Sequence, residues 1–329
     1  MTTPTPEELE QSFLAAEEKG GPPEGSVRRR ILPSSKVDIF VEVRFPGLEW
    51  ALVVRSREKL EDRDLMLTNG LTCRIREGSV EILADQQTDR LLFCSLLADL
   101  VGHLQLPSKM PTRTLVRRLN AWRRMLTRGL PTGLTPEARL GLFGELLVLQ
   151  DLMLSALGTA AVRSWVGPRQ SPQDFVLGST AVEVKSVARK QMHSCRISNE
   201  NQLDSDGLNS LFLVHQVVDQ SPEGISLPEL VDDLREDPLL GPELSWFENS
   251  LMEAGWLDSH RDNYLSDRYA LVRRQCFTIE TGFPRMTPVD LPAGVSGVSY
   301  FIDLSTCESH RVDEGKVRES LIGAGAAER

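Results

Sequence analysis

The segment 174–185, DFVLGSTAVEVK, constrains the fold of this chain more than any other. Its Gly178-Ser179 pair suits a two-residue hairpin turn with glycine first. Such a turn pairs residue 177 with 180 and so, three pairs further, places Asp174 directly opposite Glu183. Lys185 lies on the same face, because side chains alternate along a strand. One sheet face is therefore predicted to carry two carboxylates and an amine. The opposite face is predicted to be core and holds Phe175, Val182 and Val184.

These residue types together predict a divalent-metal site. Asp174 and Glu183 supply the oxygen ligands that hard cations such as Mg²⁺ or Mn²⁺ prefer, and the backbone oxygen of Val184 is the expected third ligand. A cation of this kind lowers the pKa of water and neutralises charge on a phosphate. Lys185 can orient the water or stabilise a negatively charged transition state. Asp174, Glu183 and Lys185 are therefore candidate catalytic residues.

The alternative for this segment is an exposed strand with an ordinary surface ion pair. The Glu-x-Lys spacing occurs twice more, at 17–19 and 314–316, so spacing by itself leaves both interpretations open. The copy at 314–316 contains a glycine and has charged neighbours on both sides, as on a solvated surface. Only the copy at 183–185 lies in a β-branched run with an acid paired across a hairpin, which favours the metal site.

A further carboxylate, Glu145, stands on an apolar helix. Thr135 followed by proline marks a strong helix start, and this helix should end at Gly158. Glu145 is the only charged residue between Leu140 and Gln150. A carboxylate buried there needs a partner, and the glycines at 141 and 144 would let another element approach closely. We expect Glu145 to point at the site of Asp174; the alternatives are a helix edge in solvent or an ion pair with an arginine.

Residue composition and hydrophobic pattern along the chain predict six segments. Residues 1–30 are rich in Pro, Glu and Gly and should form a flexible arm with a short helix. Residues 31–86 alternate as strands and should form a β-rich domain, with a hairpin turn at Glu77-Gly78. Residues 87–134 should be a helical connector with a basic helix, and 135–220 the core that carries the site. A C-terminal α+β extension over 221–322 and a disordered tail over 323–329 should follow.

The formal net charge of −10 means that any surface for nucleic acid must be local. The helix predicted around 113–128 carries six arginines and no acid. Its buried stripe should consist of Leu115, Leu119, Trp122 and Leu126. Arg117, Arg124 and Arg128 share another face and are candidate contacts to DNA phosphates. The alternatives are a solvated face or a docking surface for an acidic partner.

Other classes of protein are disfavoured. The five cysteines are scattered, without metal-ligand spacing, which favours a reduced, cytoplasmic setting. Neither a signal peptide nor a membrane-spanning run is expected from the apolar pattern. The chain carries no Gly-rich phosphate loop, which argues against an ATPase.

The order of these features resembles the PD-(D/E)XK nuclease superfamily, which includes many restriction endonucleases. Its core is a helix, here with Glu145, then a hairpin with Asp174 and Glu183-x-Lys185, then a helix from about Ser198 and a strand at 211–214. The resemblance implies an α/β fold with a restriction-endonuclease-like core, a mixed sheet flanked by helices. It also implies a Mg²⁺- or Mn²⁺-dependent nuclease that cuts DNA. Gln173 precedes Asp174 where the family motif has proline, a departure shared by many active members.

More closely, the chain resembles a bacterial family labelled only as PD-(D/E)XK motif proteins. The words GLFGEL at 141–146 and ISNENQL at 197–203 look typical of it, and the second includes Gln202, a candidate DNA contact. The resemblance implies partners encoded nearby, a helicase-like ATPase and a DNA methyltransferase, and thus phage defence. Double-strand cutting would favour a homodimer. Two alternatives stay open: a catalytically silent DNA-binding or scaffold subunit, and an unrelated α/β protein.

Overall fold

A computed structural model describes residues 4–21, 23–33, 35, 37–68, 70–105, 110–127, 133–169 and 171–327. The chain forms two compact units, residues 1–131 and residues 132–329. Both combine helices with β-sheet, and the second contains a mixed sheet flanked by helices. The α/β class predicted from the sequence is therefore confirmed.

The first unit is built around an antiparallel sheet. Its elements are α1 (Pro6–Glu18), β1 (Gly25–Ile31), β2 (Asp38–Phe45), β3 (Glu49–Arg55), β4 (Arg63–Thr68), β5 (Leu71–Arg76), β6 (Ser79–Ala84), α2 (Arg90–Gln105) and α3 (Pro111–Thr127). The strand order is β1-β2-β3-β6-β5-β4. The hairpin predicted at Glu77-Gly78 is confirmed, since Arg76 pairs with Ser79 and Gly78 has a φ of 77°.

The flexible arm predicted for residues 1–30 is wrong where the structure describes it. α1 begins with a capping box, in which Thr5 and Glu8 each accept the other's backbone N–H. Leu9, Phe13 and Ala16 are buried, and the Phe13 ring stacks on Trp50 at a centroid distance of 4.5 Å. β1 then pairs with β2 along its whole length. These apolar residues recur at helical spacing among many charged ones and so form one apolar stripe along the helix. The overall composition of the segment does not reveal such a stripe.

The second unit carries a five-stranded mixed sheet. It begins with α4 (Pro136–Val148), one π-helical turn (Leu149–Met153), α5 (Leu154–Leu157) and α6 (Ala161–Ser164), followed by β7 (Phe175–Leu177), β8 (Thr180–Ala188), β9 (Ser194–Ile197) and β10 (Ser210–Ser226). It ends with α7 (Leu227–Glu236), α8 (Leu244–Glu253), β11 (Arg268–Thr278), β12 (Tyr300–Asp303), β13 (Arg311–Val312) and α9 (Glu314–Ala327). The sheet order is β13-β11-β10-β8-β7, and β9 pairs separately with β12. β8 and β10 are parallel and central, so β8 is covered on both sheet faces.

The predicted helix from Thr135 to Gly158 is confirmed at both ends. The Thr135 hydroxyl accepts the Ala138 N–H, and Gly158 has a positive φ of 57°. The structure adds a π-helical turn at 149–153 between α4 and α5, which the apolar pattern does not distinguish from α-helix.

The segments after β8 differ from the predictions. The described residues between β8 and β10 form a short 3-10 helix (Arg189–Gln191), β9 and turns, and the helix predicted to begin at Ser198 is not among them. Residues 221–322 are not a separate extension, because β11 pairs with β10, and Leu230 of α7 shares a buried core with Phe175 of β7. The disordered tail predicted from 323 is wrong up to residue 327, which α9 includes.

One helical stretch, Pro136–Ser164, has the length and apolar character that a membrane span needs. More than half of its most apolar window is buried inside the protein, as in the core helix of a soluble fold.

Candidate active site

Glu183 and Lys185 lie on β8, the strand between β7 and β10. The Glu183 side chain has no exposed surface, and that of Lys185 is 17% exposed. Lys185 Nζ lies 2.7 Å from Glu183 Oε1, which makes a buried ion pair. Glu183 Oε2 has no hydrogen-bond partner among the described residues. One oxygen of a fully buried carboxylate is thus left for a further ligand.

The hairpin register is confirmed over three pairs: Phe175 with Val182, Val176 with Ala181, and Leu177 with Thr180. The ladder ends there, one pair before the predicted pairing of 174 with 183. Phe175, Val182 and Val184 belong to the buried core, as predicted.

Asp174 reaches β8 through its side chain. Its Oδ2 accepts the Val184 N–H at 2.7 Å, and its backbone carbonyl accepts the N–H groups of Val166 and Gly167 at 2.8 and 2.9 Å. A Cβ at Gly167 would lie only 2.8 Å from Asp174 Oδ1, so this carboxylate needs glycine beside it. The loop before β7 therefore fixes Asp174 against the strand that carries Glu183.

Glu145 is held by an indole. Its Oε2 accepts the Trp165 Nε1–H at 2.7 Å. The neighbouring Gly144 lets α4 approach β8 and β10 closely, since a Cβ there would lie 1.7 Å from Ser186 Oγ, and its carbonyl accepts from Gln216 Nε2 at 2.9 Å. Gly141 has no such neighbour. Close approach is thus confirmed for Gly144 and is wrong for Gly141.

Burial and mutual repulsion raise the carboxyl pKa values of this cluster. Burial, followed by the charge of Asp174, raises the pKa of Glu183 to about 8, although Lys185 opposes the rise. Burial also raises the pKa of Asp174, against Lys185 and the Val184 N–H. The pKa of Glu145 rises through burial and then through the charges of Asp174 and Glu183, so the three carboxylates lie close enough to interact.

Lys185 stays charged in this setting. Burial lowers its pKa, but Glu183 and Asp174 more than compensate, and the net pKa is raised. The cluster thus combines a permanent ammonium with carboxylates that hold protons more tightly than usual. A divalent cation would stabilise the deprotonated carboxylates, because metal binding displaces protons.

The residues present fit such a cation. No group of three His, Cys, Asp or Glu side chains that could hold a metal ion occurs among the described residues. The proposed ligand set accordingly has only two side chains, Asp174 and Glu183. The backbone oxygen of Val184 remains the expected third ligand. The unpartnered Glu183 Oε2 and the raised carboxyl pKa values are the features that a cation would relieve.

The two glutamines near the site have local roles. Gln173, in the place of the motif proline, donates from Nε2 to the Asn201 carbonyl at 3.0 Å and so ties the loop before β10 to the hairpin. The Gln202 side-chain oxygen accepts the Ser198 N–H at 2.8 Å within that same loop. This hydrogen bond shapes the loop, and a DNA contact by Gln202 stays a prediction.

His215 on β10 is a neighbour that the sequence analysis did not single out. It pairs in register with Lys185, so both side chains lie on the same sheet face. It is fully buried, and neither ring nitrogen has a hydrogen-bond partner among the described residues. Burial, then the charge of Arg273, lowers its pKa to about 4, so it is neutral near pH 7. The polar pair His215-Gln216 within an otherwise apolar run was the available signal.

The basic helix lies in the first unit. Leu115, Leu119 and Trp122 are buried on α3, as predicted, and Leu126 is half-buried. Arg118 is also buried, with Nη2 2.5 Å from Asp99 Oδ1. Arg117 and Arg124 are exposed, and Arg128 lies outside the described residues.

Comparison with known proteins agrees with the geometry. Residues 8–305 match the family model described as "Putative PD-(D/E)XK family member, (DUF4420)". No curated protein and no solved structure matches the chain. The match covers most of the chain, and the predicted resemblance to the PD-(D/E)XK superfamily is confirmed. With its acid–Glu-x-Lys cluster on a central strand, this chain belongs to that PD-(D/E)XK family.

Proposed function

We propose that this protein is a divalent-metal-dependent DNA endonuclease that hydrolyses phosphodiester bonds. The observation that carries the proposal is the buried Asp174–Glu183–Lys185 cluster, in which one carboxylate oxygen has no partner among the described residues. Its family has a nuclease-like fold, and PD-(D/E)XK nucleases generally use divalent metals. An ordinary surface ion pair does not explain a Glu183 side chain with no exposed area.

The roles of the residues follow from their chemistry. Asp174, Glu183 and the Val184 carbonyl would hold Mg²⁺ or Mn²⁺, which supplies charge neutralisation and an acidified water when bound. Lys185, kept charged by its acidic neighbours, donates to a phosphate oxygen or to the attacking water. Glu145, anchored by Trp165, would add a third carboxylate that strengthens cation binding once it loses the proton that its raised pKa favours. Trp165 and Gly167 position these carboxylates.

The setting of the enzyme is part of the same proposal. The resemblance of its motifs favours a bacterial restriction or phage-defence system, with a helicase-like ATPase and a DNA methyltransferase as partners. The five free, buried cysteines suit a reduced, cytoplasmic compartment. A homodimer would supply the second site that a double-strand cut requires.

The test is cleavage of supercoiled plasmid DNA with Mg²⁺ or Mn²⁺. We expect nicked or linear product from the native chain, none after chelation, and none from Asp174→Ala. Lys316→Ala, which alters the exposed Glu-x-Lys copy on α9, is the matched control and should cut normally. DNA binding without cleavage in either metal would contradict the proposal and would favour the scaffold alternative. Equal cleavage by Asp174→Ala would place the chemistry elsewhere.

A further inference from the structure

The first unit contains a cavity that the nuclease proposal does not use. It lies between the N-terminal half of α3 and the segment that leads into β4, and its volume is about 420 Å³. We propose that this cavity binds a nucleotide, with the phosphate on its basic rim and the base on its apolar floor. The inference stands whether or not the chain cuts DNA.

The charge of the rim selects an anion. Four cations line it, Lys59, Arg63, Arg113 and Arg117, against one acid, Glu61. Within the described part of the chain, Lys59, Arg63 and Arg113 form no ion pair. Other arginines of this unit do hold carboxylates, as Arg28 and Arg44 do with Glu42. Three grouped cations that form no ion pair within the described residues, in a chain of net charge −10, indicate a site for a phosphate.

The floor of the cavity is apolar, so a phosphate group alone would not fill it favourably. Leu60, Ile75 and Val116 line it, and Ile75 and Val116 are buried. Asn120 contributes an amide at the same wall. Cavities of this size and composition accept small organic ligands, with an apolar body and a few polar anchors. A flat heteroaromatic base attached to a phosphate has both parts, and Arg guanidinium groups can also stack on the base.

The cavity is held in shape by hydrogen bonds on both sides. On the α3 side, the Glu58 carboxylate accepts the N–H groups of Thr112 and Arg113 at 2.8 and 3.1 Å. On the β4 side, Arg76 Nη1 lies 2.6 Å from Asp64 Oδ1. The loop between these anchors carries Lys59 and Glu61. Because both of its ends are fixed, the loop should change its conformation little when a ligand binds. Preorganisation of this kind lowers the entropic cost of capturing a ligand.

The test is binding to the full-length chain in EDTA, so that cleavage plays no part. The probes are dAMP, deoxyadenosine, inorganic phosphate and a labelled single-stranded oligonucleotide. The double variant Lys59→Gln/Arg113→Gln removes two rim cations. Arg29→Gln/Arg55→Gln removes two exposed arginines of the same unit away from the cavity and is the matched control. Circular dichroism and thermal melting establish that both variants are folded.

We expect a nucleotide probe to bind the native chain and the control alike, and to bind the rim variant about tenfold or more weakly for each cation removed. Phosphate and nucleoside should each bind more weakly than dAMP. Binding of free dAMP would identify a small-molecule site, whereas binding of the oligonucleotide alone would identify a nucleotide of a strand. Binding of neither, or equal binding by the rim variant and the control, overturns the inference. Inorganic phosphate binding as tightly as dAMP overturns the role of the floor.

Discussion

At the scale of single residues, Glu183 combines two unfavourable conditions. Its side chain has no exposed surface, and a second carboxylate, Asp174, acts on it from the neighbouring loop. Lys185 compensates in part, because it lies 2.7 Å away. The pKa of about 8 means that, without metal, Glu183 holds a proton at neutral pH more often than an ordinary glutamate. The site therefore lowers the stability of the metal-free fold as the pH rises.

Glu183→Gln should stabilise the metal-free protein, and increasingly so at higher pH. The folded-state pKa of about 8 exceeds the reference value of 4.5, so the native chain loses stability as pH rises from about 4.5 to about 8. Glutamine mimics the protonated form and avoids this loss. The gain should approach roughly 2 to 4 kcal/mol at pH 8 and vanish near pH 4.5. Urea unfolding across this range measures it, with the exposed Glu308→Gln as control. A constant difference between pH 5 and pH 8 would contradict the prediction.

Metal affinity should also depend on pH through the same carboxylates. A cation must displace the protons that the raised pKa values of Asp174 and Glu183 favour. Mn²⁺ affinity should therefore rise by about tenfold per pH unit for each proton displaced, up to about pH 8. Calorimetry in buffers of different ionisation enthalpy detects the released protons. Asp174→Ala/Glu183→Ala should abolish binding; Mn²⁺ binding equal to that of the native chain would remove the proposed site.

Lys185→Ala should abolish cleavage and leave DNA affinity nearly unchanged. Lys185 is largely buried beside Glu183, so it is placed to act on one reacting phosphate and not on the DNA backbone in general. A plain phosphate contact would lower binding and turnover together. Anisotropy with labelled DNA and plasmid cleavage separate the two effects. Lys316→Ala should change neither, and parallel loss of both in Lys185→Ala would reduce Lys185 to a binding role.

Residue-level prediction from the sequence succeeded where the interactions are local. The Gly178-Ser179 turn determines three cross-strand pairs by itself, because a two-residue turn fixes which residues lie opposite each other. It could not determine the side-chain bond from Asp174 to the Val184 N–H, which depends on the loop at 165–167. The Trp165 partner of Glu145 and the His215 neighbour of Lys185 come from other elements, and no spacing within one segment indicates them.

At the scale of elements, the packing of α4 against β8 depends on one glycine. Gly144→Ala would place a Cβ 1.7 Å from Ser186 Oγ and 2.7 Å from Ser186 Cβ, so the helix must move. We expect a loss of about 1–3 kcal/mol in unfolding free energy and reduced cleavage, because Glu145 moves with the helix.

Gly141→Ala is the matched control on the same helix. No atom lies within 4 Å of its added Cβ, so helix propensity alone should stabilise the fold by about 0.5–1 kcal/mol. Urea unfolding of both variants gives the comparison. Equal effects of the two substitutions would mean that the close approach of α4 has no energetic weight.

Helices and strands were predicted correctly where the local sequence signals are strong. They were predicted wrongly where contacts outside the periodic pattern determine the conformation. The start of α4 at Thr135 and the end at Gly158 follow from capping and glycine. The helix predicted from Ser198 is wrong, because the polar residues 198–206 make turns with one another, as when Gln202 accepts the Ser198 N–H. Asn and Ser side chains compete in this way with helical backbone bonds.

At the scale of the whole molecule, composition misleads at both ends of the chain. A flexible arm and a disordered tail were predicted there, yet α1 buries Phe13 and α9 continues to Ala327. An amphipathic helix needs only one apolar stripe, which an average over its residues conceals. Local patterns assigned the late strands to an extension. They could not show that β11 pairs with β10, since that pairing joins residues more than forty positions apart. Sequence patterns predict the elements, and long-range pairing assembles them into two units.

An acidic molecule that binds DNA must do so through a local basic surface, and α3 is the best candidate in the described chain. Arg117 and Arg124 are exposed on it, beside a buried stripe that fixes their direction. Arg117→Gln/Arg124→Gln should weaken DNA binding and flatten its dependence on salt by about one logarithmic unit of slope for each phosphate interaction removed. Anisotropy at several salt concentrations measures the slope, with Arg29→Gln/Arg55→Gln as control.

An unchanged slope would place the DNA surface away from Arg117 and Arg124. The arginines at 28–30 are then a weaker choice than their sequence indicates, because Arg28 holds Glu42 and Arg30 holds Asp38. Neutralising those two would break ion pairs and cost stability as well as binding, so a loss of affinity there could not be assigned to phosphate binding. The rim cations Lys59 and Arg113 carry no such pairs among the described residues. They are therefore the next surface to test by the salt dependence of DNA binding. A flatter slope for Lys59→Gln/Arg113→Gln would mean that these cations contact the DNA backbone. An unchanged slope would mean that the nucleotide cavity is separate from the DNA surface.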